Sequence, residues 1–308
     1  MRAIAAALLS ALLLPAAAAA QSGKSYTFVL VPKVVHPWFD KVNNGAHAAA
    51  AMLAKSTGAK IDIEYRAPQS ADVVQQNDII ERAIATHPDG IMVDLLDEKG
   101  NRAVLEEALG QNIPVTVFDS VAPAGMELTS VGNDFCEQGN IAANRLAVII
   151  GGQGEVAIMM GVPTAPNHAI RARCEQQTFG RYPGIKVVAT GIDNDNIETA
   201  QKQAQAIMQA HPNLKGWVEC DASGPVGVGQ AIREAGKTGQ VKMVGMDNLK
   251  DMLQLIRDGV ADSSASTKPE MQGYWAVLAM WQRAMGAATP KTIDTGIAVI
   301  TKANVDKF

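Results

Sequence analysis

The sequence predicts an α/β protein of two doubly wound parallel-sheet lobes joined by a three-crossing hinge. Three observations predict it. First, the chain says nearly the same thing twice: residues 83–94 and 115–119 are matched by 206–221 and 243–247. Each copy holds a helix end, a His-Pro turn (His87-Pro88, His211-Pro212), an apolar strand closing on Asp, a helix, and a second strand closing on Asp. Second, short β-rich runs alternate with helical patterns and show no hairpin signal, the signature of a parallel sheet covered by helices. Third, 308 residues exceed the usual size of a single core. Two such halves facing one another make a cleft lined by strand-end carboxylates, and ligands of open α/β sheets bind at such ends and between domains.

The first twenty residues read as a signal peptide. Arg2 is the only charge, residues 3–14 are apolar, Pro15 breaks the run, and Ala18-Ala19-Ala20 precedes Gln21. The run is too short to span a bilayer comfortably, and no Cys follows it to carry a lipid. The expectation is cleavage after about Ala20 and export to the periplasm.

From there the elements follow in order. Residues 26–31 form a short strand, and an Ala-rich helix runs to Ala54 and stops at Thr57-Gly58-Ala59. Residues 61–65 alternate as a strand, and Ser70-Ala71-Asp72 opens a helix to Ala85. Strand, helix and strand then continue to Asp119. Residues 120–133 read as a turn-rich bridge with Pro123 and Gly125. A helix over 134–150 ends at Gly151-Gly152-Gln153-Gly154, and a second α/β run places strands at 155–160, 185–190, 216–220 and 241–246. Residues 261–267 read as another crossing, 273–285 as a helix and 297–301 as a last strand. The expected first lobe is 21–132 plus 268–293, and the second 133–267 plus 294–308.

Composition excludes several functions. With 27 basic against 31 acidic residues and 5% aromatics, no polyanion or nucleic-acid partner is expected. The five His residues have no ligand spacing, and neither Cys-x-x-Cys nor a Gly-x-Ser-x-Gly elbow occurs. Gly151–Gly154 precedes a strand where a dinucleotide fingerprint must follow one. Residues 224–229 have the wrong glycine spacing for a phosphate cradle and read as tight packing at a helix start. No enzyme, cofactor or metal site is expected. Cys136, Cys174 and Cys220 make no disulfide framework; either Cys174 pairs with Cys220, or the thiols are buried and free.

The strand-end Asp set carries the candidate chemistry. Asp94, Asp119, Asp221 and Asp247 each close an apolar strand at equivalent points of the two halves. One such Asp is ordinarily a helix cap; four point to a ligand, because a carboxylate accepts the paired hydroxyls of a sugar. Trp38 and Phe39 follow the first strand on the same edge, where an aromatic face can cover the C–H face of a sugar. Of Arg171 and Arg173, one can fork onto ring and hydroxyl oxygens while the other is solvated.

These residues resemble a known family along the whole chain after residue 20. His36-Pro37-Trp38-Phe39 stands where periplasmic sugar-binding proteins of the ribose-binding type have Asn-Pro-Phe-Phe, and Val244-Gly245-Met246-Asp247 resembles their Val-Gly-Phe-Asp. Asp119, Arg171-Ala172-Arg173 and the Ala-His-Pro turn fall in the same order. The resemblance implies the type I periplasmic binding protein fold and the ligand-capture role in an ABC importer. It also implies Trp38 and Phe39 as stacking aromatics with His36 as the polar contact beside them, Asp119 and Asp247 as hydroxyl acceptors, and Arg173 as the contact to ring oxygen and hydroxyl. Asp94 and Asp221 stand where the ribose type has Asn, Thr267 near its hinge Gln, Ser120 in place of an Arg, and Asp195 in place of an aromatic of the second lobe.

The cleft so read is more acidic and less aromatic than the ribose type. Its ligand is either a hydroxyl-rich pentose or polyol that uses every acceptor, or a solute with an amine that offsets the carboxylates. The resemblance further implies a monomer that delivers its solute to a membrane permease, with presentation of the closed form to a chemoreceptor as the alternative.

Overall fold

The computed structural model describes residues 23–308; the signal-peptide reading lies outside them. The chain forms two six-stranded sheets of matching order. The first sheet takes β1 (Ser25–Val31), β2 (Lys60–Tyr65), β3 (Gly90–Val93), β4 (Val115–Phe118), β5 (Thr129–Gly132) and β11 (Thr292–Asp294), in the order β11-β5-β4-β3-β1-β2. The second takes β6 (Gln153–Met160), β7 (Gly184–Ile192), β8 (Leu214–Glu219), β9 (Lys242–Met246), β10 (Ser263–Ser266) and β12 (Ala298–Thr301), in the order β12-β10-β9-β8-β6-β7. The chain thus crosses between sheets after β5, after β10 and between β11 and β12. All pairings are parallel except that of β10 with β12. The central strands β3, β4 and β8 are apolar and buried almost throughout, as strands covered on both faces must be.

Nine helices among the described residues cover the sheets. On the first lobe lie α1 (Pro37–Thr57), α2 (Val73–Ile84), α3 (Arg102–Gly110) and, after the second crossing, α9 (Pro269–Ala284). On the second lie α4 (Phe135–Ile149), α5 (Pro166–Phe179), α6 (Ile197–Ala210), α7 (Gly224–Glu234) and α8 (Lys250–Arg257). Their starts are chemically marked: the carboxylates of Asp72 and Asp134 accept the amides of Gln75 and Glu137, and Asn196 accepts that of Thr199. Pro37 occupies the first turn of α1, where a missing N–H costs nothing. None of these helices is long and apolar enough to cross a membrane.

Glycines set the closest helix contacts. A Cβ on Gly273 would lie 1.9 Å from the Val42 carbonyl oxygen, and one on Gly45 1.9 Å from that of Glu270. Helices α1 and α9 therefore touch backbone to backbone, which ties the returning helix into the first lobe. The glycines at the start of α7 do the same for the second lobe, since a Cβ on Gly227 would lie 2.5 Å from the Ile197 carbonyl oxygen. This is the tight packing that their sequence suggested.

The structure corrects three readings. The bridge over 120–133 contains β5, whose Thr129 and Ser130 masked a strand that Val131 anchors at 0% exposure. The crossing over 261–267 contains β10, a buried strand made mostly of serine that hydropathy does not reveal. Cys174 pairs with Cys136, not Cys220. Both partners sit on the adjacent helices α4 and α5, whereas Cys220 lies buried at the end of β8 and donates its thiol to Glu175 Oε2 at 3.2 Å.

Candidate functional site

The aspartates of the cleft stand just past the C-terminal ends of strands. Lys33 and His36 follow β1, Asp94 follows β3, Asp119 follows β4, and Asp193 and Asp195 follow β7. Asp221, Asp247 and Thr267 follow β8, β9 and β10. Facing ends line one pocket between the lobes, the kind of inter-domain position that small-solute sites favour. A groove on the second lobe beside Phe179, Val187 and Ala189 is lined by no charged residue.

The first lobe supplies Lys33, His36, Trp38, Phe39 and Asp119 to the cavity wall. The Trp38 and Phe39 rings meet edge to face, with centroids 5.0 Å apart, and Phe39 rests on Phe118 in the same way at 6.3 Å. His36 caps α1: its Nδ1 accepts the Trp38 amide at 3.2 Å. The proton of the neutral ring is therefore on Nε2, which donates to Ser223 Oγ of the second lobe at 3.0 Å. Burial pushes the His36 pKa down, which suits this neutral form.

The second lobe supplies His168, Arg171, Asp195, Asp221 and Asp247. Arg171 is held on four sides. It donates to Gln138 Oε1 at 2.8 Å and to the Cys220 carbonyl at 3.0 Å, its guanidinium lies 5.0 Å from the Phe135 ring centroid, and Nη2 reaches Asp119 Oδ1 at 3.5 Å. Asp247 accepts both the amide, at 3.0 Å, and the hydroxyl of Thr267. Asp119 and Asp247 close equivalent strands with the same left-handed backbone, φ 43° and 64°, a conformation Asp tolerates better than most residues.

Charge is distributed unevenly around this wall. Burial works against the charge of Lys33, but Asp94, Asp195 and Asp119 outweigh it and hold its pKa above the ordinary value. Burial likewise opposes the charge on Asp195, and His168, Lys33 and His36 outweigh it, so its carboxyl is held down. Asp221, buried beside Asp195, is pushed up to about 8. Burial drives Asp193 and Glu219 well above the carboxylate range, each with Asp221 adding to the effect.

Three expected contacts are placed otherwise. Arg173 is exposed, and it is Arg171 that enters the cleft. Two residues on a helix are about 200° apart, and the inward stripe of α5 runs Asn167, His168, Arg171, Cys174, Glu175 and Thr178. Asp94 lies behind the wall, where it accepts Ser120 Oγ at 2.6 Å and pairs with Lys33 Nζ at 3.3 Å. Thr267 also lies behind it, bridging Asp247 and Trp38, whose Nε1 donates to the Thr267 hydroxyl at 3.1 Å.

Sequence reasoning missed Lys33, Asn167 and His168, which tie the lobes together. Lys33 Nζ reaches Asn167 Oδ1 at 3.3 Å and His168 Nε2 at 3.1 Å, and Asn167 donates to Asp119 Oδ2 at 2.6 Å. Lys33 stands two residues past an apolar strand, the same signal that singled out the aspartates. Among the described residues, Asp193, Asp195 and Asp221 form the group of acidic side chains whose oxygens approach closely enough to hold a metal.

Comparison with known proteins agrees with this geometry. The model of the family described as periplasmic binding protein domain matches residues 27–288. A solved ABC transporter solute-binding protein from Burkholderia graminis, in complex with D-arabinose, superposes with a TM-score of 0.85 at 31% identity, over 94% of this chain and 98% of that one. The ribose import binding protein of Bacillus subtilis is 25% identical over 91% of this chain and 88% of its own length. A xylose/arabinose-binding protein of Sulfolobus acidocaldarius is 24% identical over 89% of this chain and 70% of its own.

Proposed function

The chain belongs to the periplasmic binding protein family, of type I fold, and from that premise we propose that it captures a monosaccharide or polyol between its lobes and delivers it to the permease of an ABC importer. The observation that carries this reading is the pocket between the lobes, which sets the Trp38–Phe39 pair beside convergent carboxylates and a fixed guanidinium. The aromatic faces suit sugar C–H groups. Asp119, Asp221 and Asp247 suit hydroxyl hydrogens, and Arg171 suits a ring or hydroxyl oxygen. The relatives named above carry pentoses in their names or in their complex, in keeping with a small hydroxyl-rich solute.

Capture works by closure. The lobes, 21–132 plus 268–293 and 133–267 plus 294–308, move as units about the three crossings. The bonds His36–Ser223, Asn167–Asp119 and Lys33–Asn167 form as the lobes meet. A solute that completes contacts to both lobes favours the closed state by its differential affinity, and the closed form is what a permease recognises. The protein acts as an exported monomer and leaves its solute chemically unchanged.

A thermal-shift screen of residues 21–308 against pentoses, hexoses, polyols and amino sugars tests the reading. A solute bound only by the folded state raises Tm by mass action. The expected result is a rise with one neutral class, which Asp247→Ala abolishes. A screen in which no carbohydrate moves Tm would overturn it.

A further inference from the structure

The second lobe carries an acidic group that its own chain leaves incomplete. Asp193, Asp195 and Asp221 offer oxygens that all lie within 4.8 Å of one another. Glu219 joins them from beneath: a Cβ on Gly224 would lie 2.6 Å from Glu219 Oε2 and 2.8 Å from Asp221 Oδ1, so these two oxygens face the same small space. Asp193 and Glu219 are fully buried. Four of the group's oxygens, Asp193 Oδ2, Asp195 Oδ2 and both of Glu219, are buried with no hydrogen-bond partner at all.

Orphaned acceptors are rare in folded proteins and costly, more so when charged. His168 and Lys33 act on Asp195, which His168 Nε2 approaches at 3.8 Å, but no cation among the described residues acts on Asp193 or Glu219. Lys33 pairs with Asp94 and contacts Asn167 and His168. Arg171 is taken up by Gln138, the Cys220 carbonyl and Asp119. The charge that offsets Asp193 and Glu219 therefore has to come from outside the chain, as protons or as a cation.

We propose that Asp193, Asp195 and Asp221, with Glu219 beside them, bind a divalent cation, Ca²⁺, in the cleft wall of the second lobe. The donors are all carboxylate oxygens, which suit a hard ion rather than zinc or copper. Three carboxylates offer up to six oxygens, within calcium's range of roughly six to eight ligands, while a buried site has little room for the waters that magnesium retains. The site stands on the second lobe's own residues and is independent of which solute the cleft takes.

The test is calorimetric titration of the full chain, stripped with a chelator and dialysed, with CaCl₂, MgCl₂ and MnCl₂, each followed by thermal denaturation. The expected result is one Ca²⁺ per chain, a Tm raised by several degrees, and weaker response to Mg²⁺. Asp193→Asn and Glu219→Gln, made separately so that misfolding of one leaves the other informative, should each weaken Ca²⁺ by roughly tenfold or more. No heat and no Tm rise with any ion would overturn the proposal. So would Ca²⁺ binding that both folded variants retain at full strength, which would place the ion elsewhere. A Tm rise with glucosamine in chelator, where Ca²⁺ gives none, would overturn it too, by assigning the missing charge to an organic ammonium group.

Discussion

The two lobes share strand order, strand-end positions and even the left-handed Asp that closes β4 and β9, yet they treat their carboxylates differently. In the first lobe Asp94 has Lys33 and Ser120, and Asp119 has Asn167, Gln272 and Arg171. In the second, Asp193 and Glu219 are fully buried with orphaned oxygens. A common backbone therefore does not impose a common electrostatic design. Asp94 is offset by Lys33 of its own lobe and Asp119 by Arg171 of the other, while Asp193 and Glu219 keep an unmet demand for positive charge, protons or hydrogen-bond donors at the wall where a ligand arrives.

The comparison breaks most forcefully at Lys33. Lys33→Met removes the counter-charge of a fully buried carboxylate, and losing one partner of such a pair costs about 3–5 kcal/mol. Urea unfolding should show a large drop in midpoint at unchanged slope. A midpoint equal to wild type would mean that Asp94 does not depend on Lys33.

Helix packing gives the next largest effect. Gly273→Ala drives a Cβ toward the Val42 carbonyl, a backbone atom that cannot step aside, and should cost about 1–3 kcal/mol. The second lobe has a looser counterpart: a Cβ on Gly139 would lie 2.7 Å from the Arg171 carbonyl oxygen. Gly139→Ala should therefore lower Tm less than Gly273→Ala. The reverse order would contradict the contact geometry.

The pH dependence of chelator-treated protein sharpens the contrast further. Burial pushes Glu175 of the second lobe up to about 8. Between its ordinary value of 4.5 and about 8, the folded state holds a proton that the unfolded state has released, so stability falls as pH rises through that window. Around pH 6.5, the ordinary histidine value, the unfolded state still releases protons from His36 and His168, whose folded pKa burial lowers, and this opposes the trend until about pH 7.5. Tm should decline from about pH 7.5 upward toward 8, on the order of 1 kcal/mol per pH unit for each such group. Glu175→Gln should flatten the decline, and an equally steep decline in that variant would remove Glu175 from the account. The smallest effect belongs to exposed Arg173: Arg173→Ala should change stability by less than about 0.5 kcal/mol and leave solute affinity unchanged.

What the sequence made legible follows from period and repetition. The alternating elements and the doubled strand–Asp pattern were enough to place the sheets and to bring Asp119, Asp221 and Asp247 to one cavity. Strands β5 and β10 were hidden because Thr and Ser, satisfied by hydrogen bonds, can occupy a buried strand without a hydrophobic signature. The choice of Arg173 over Arg171 followed a family position; the helical stripe through Asn167, His168 and Glu175 would have reversed it. The acidic group of the second lobe was out of reach because Asp193 and Glu219 come from different strand ends, and only the parallel pairings of β6 with β7 and with β8 bring them together.

The most direct test of the lobe asymmetry is to denature two isosteric variants in chelator, Asp94→Asn from the first lobe and Glu219→Gln from the second. Each replaces a buried carboxylate by an amide of the same shape. The account predicts opposite signs: Asp94→Asn takes from buried Lys33 the carboxylate it pairs with and lowers Tm, whereas Glu219→Gln removes a carboxyl that must take up a proton to be buried and raises it. Shifts of the same sign and size in both variants would contradict it.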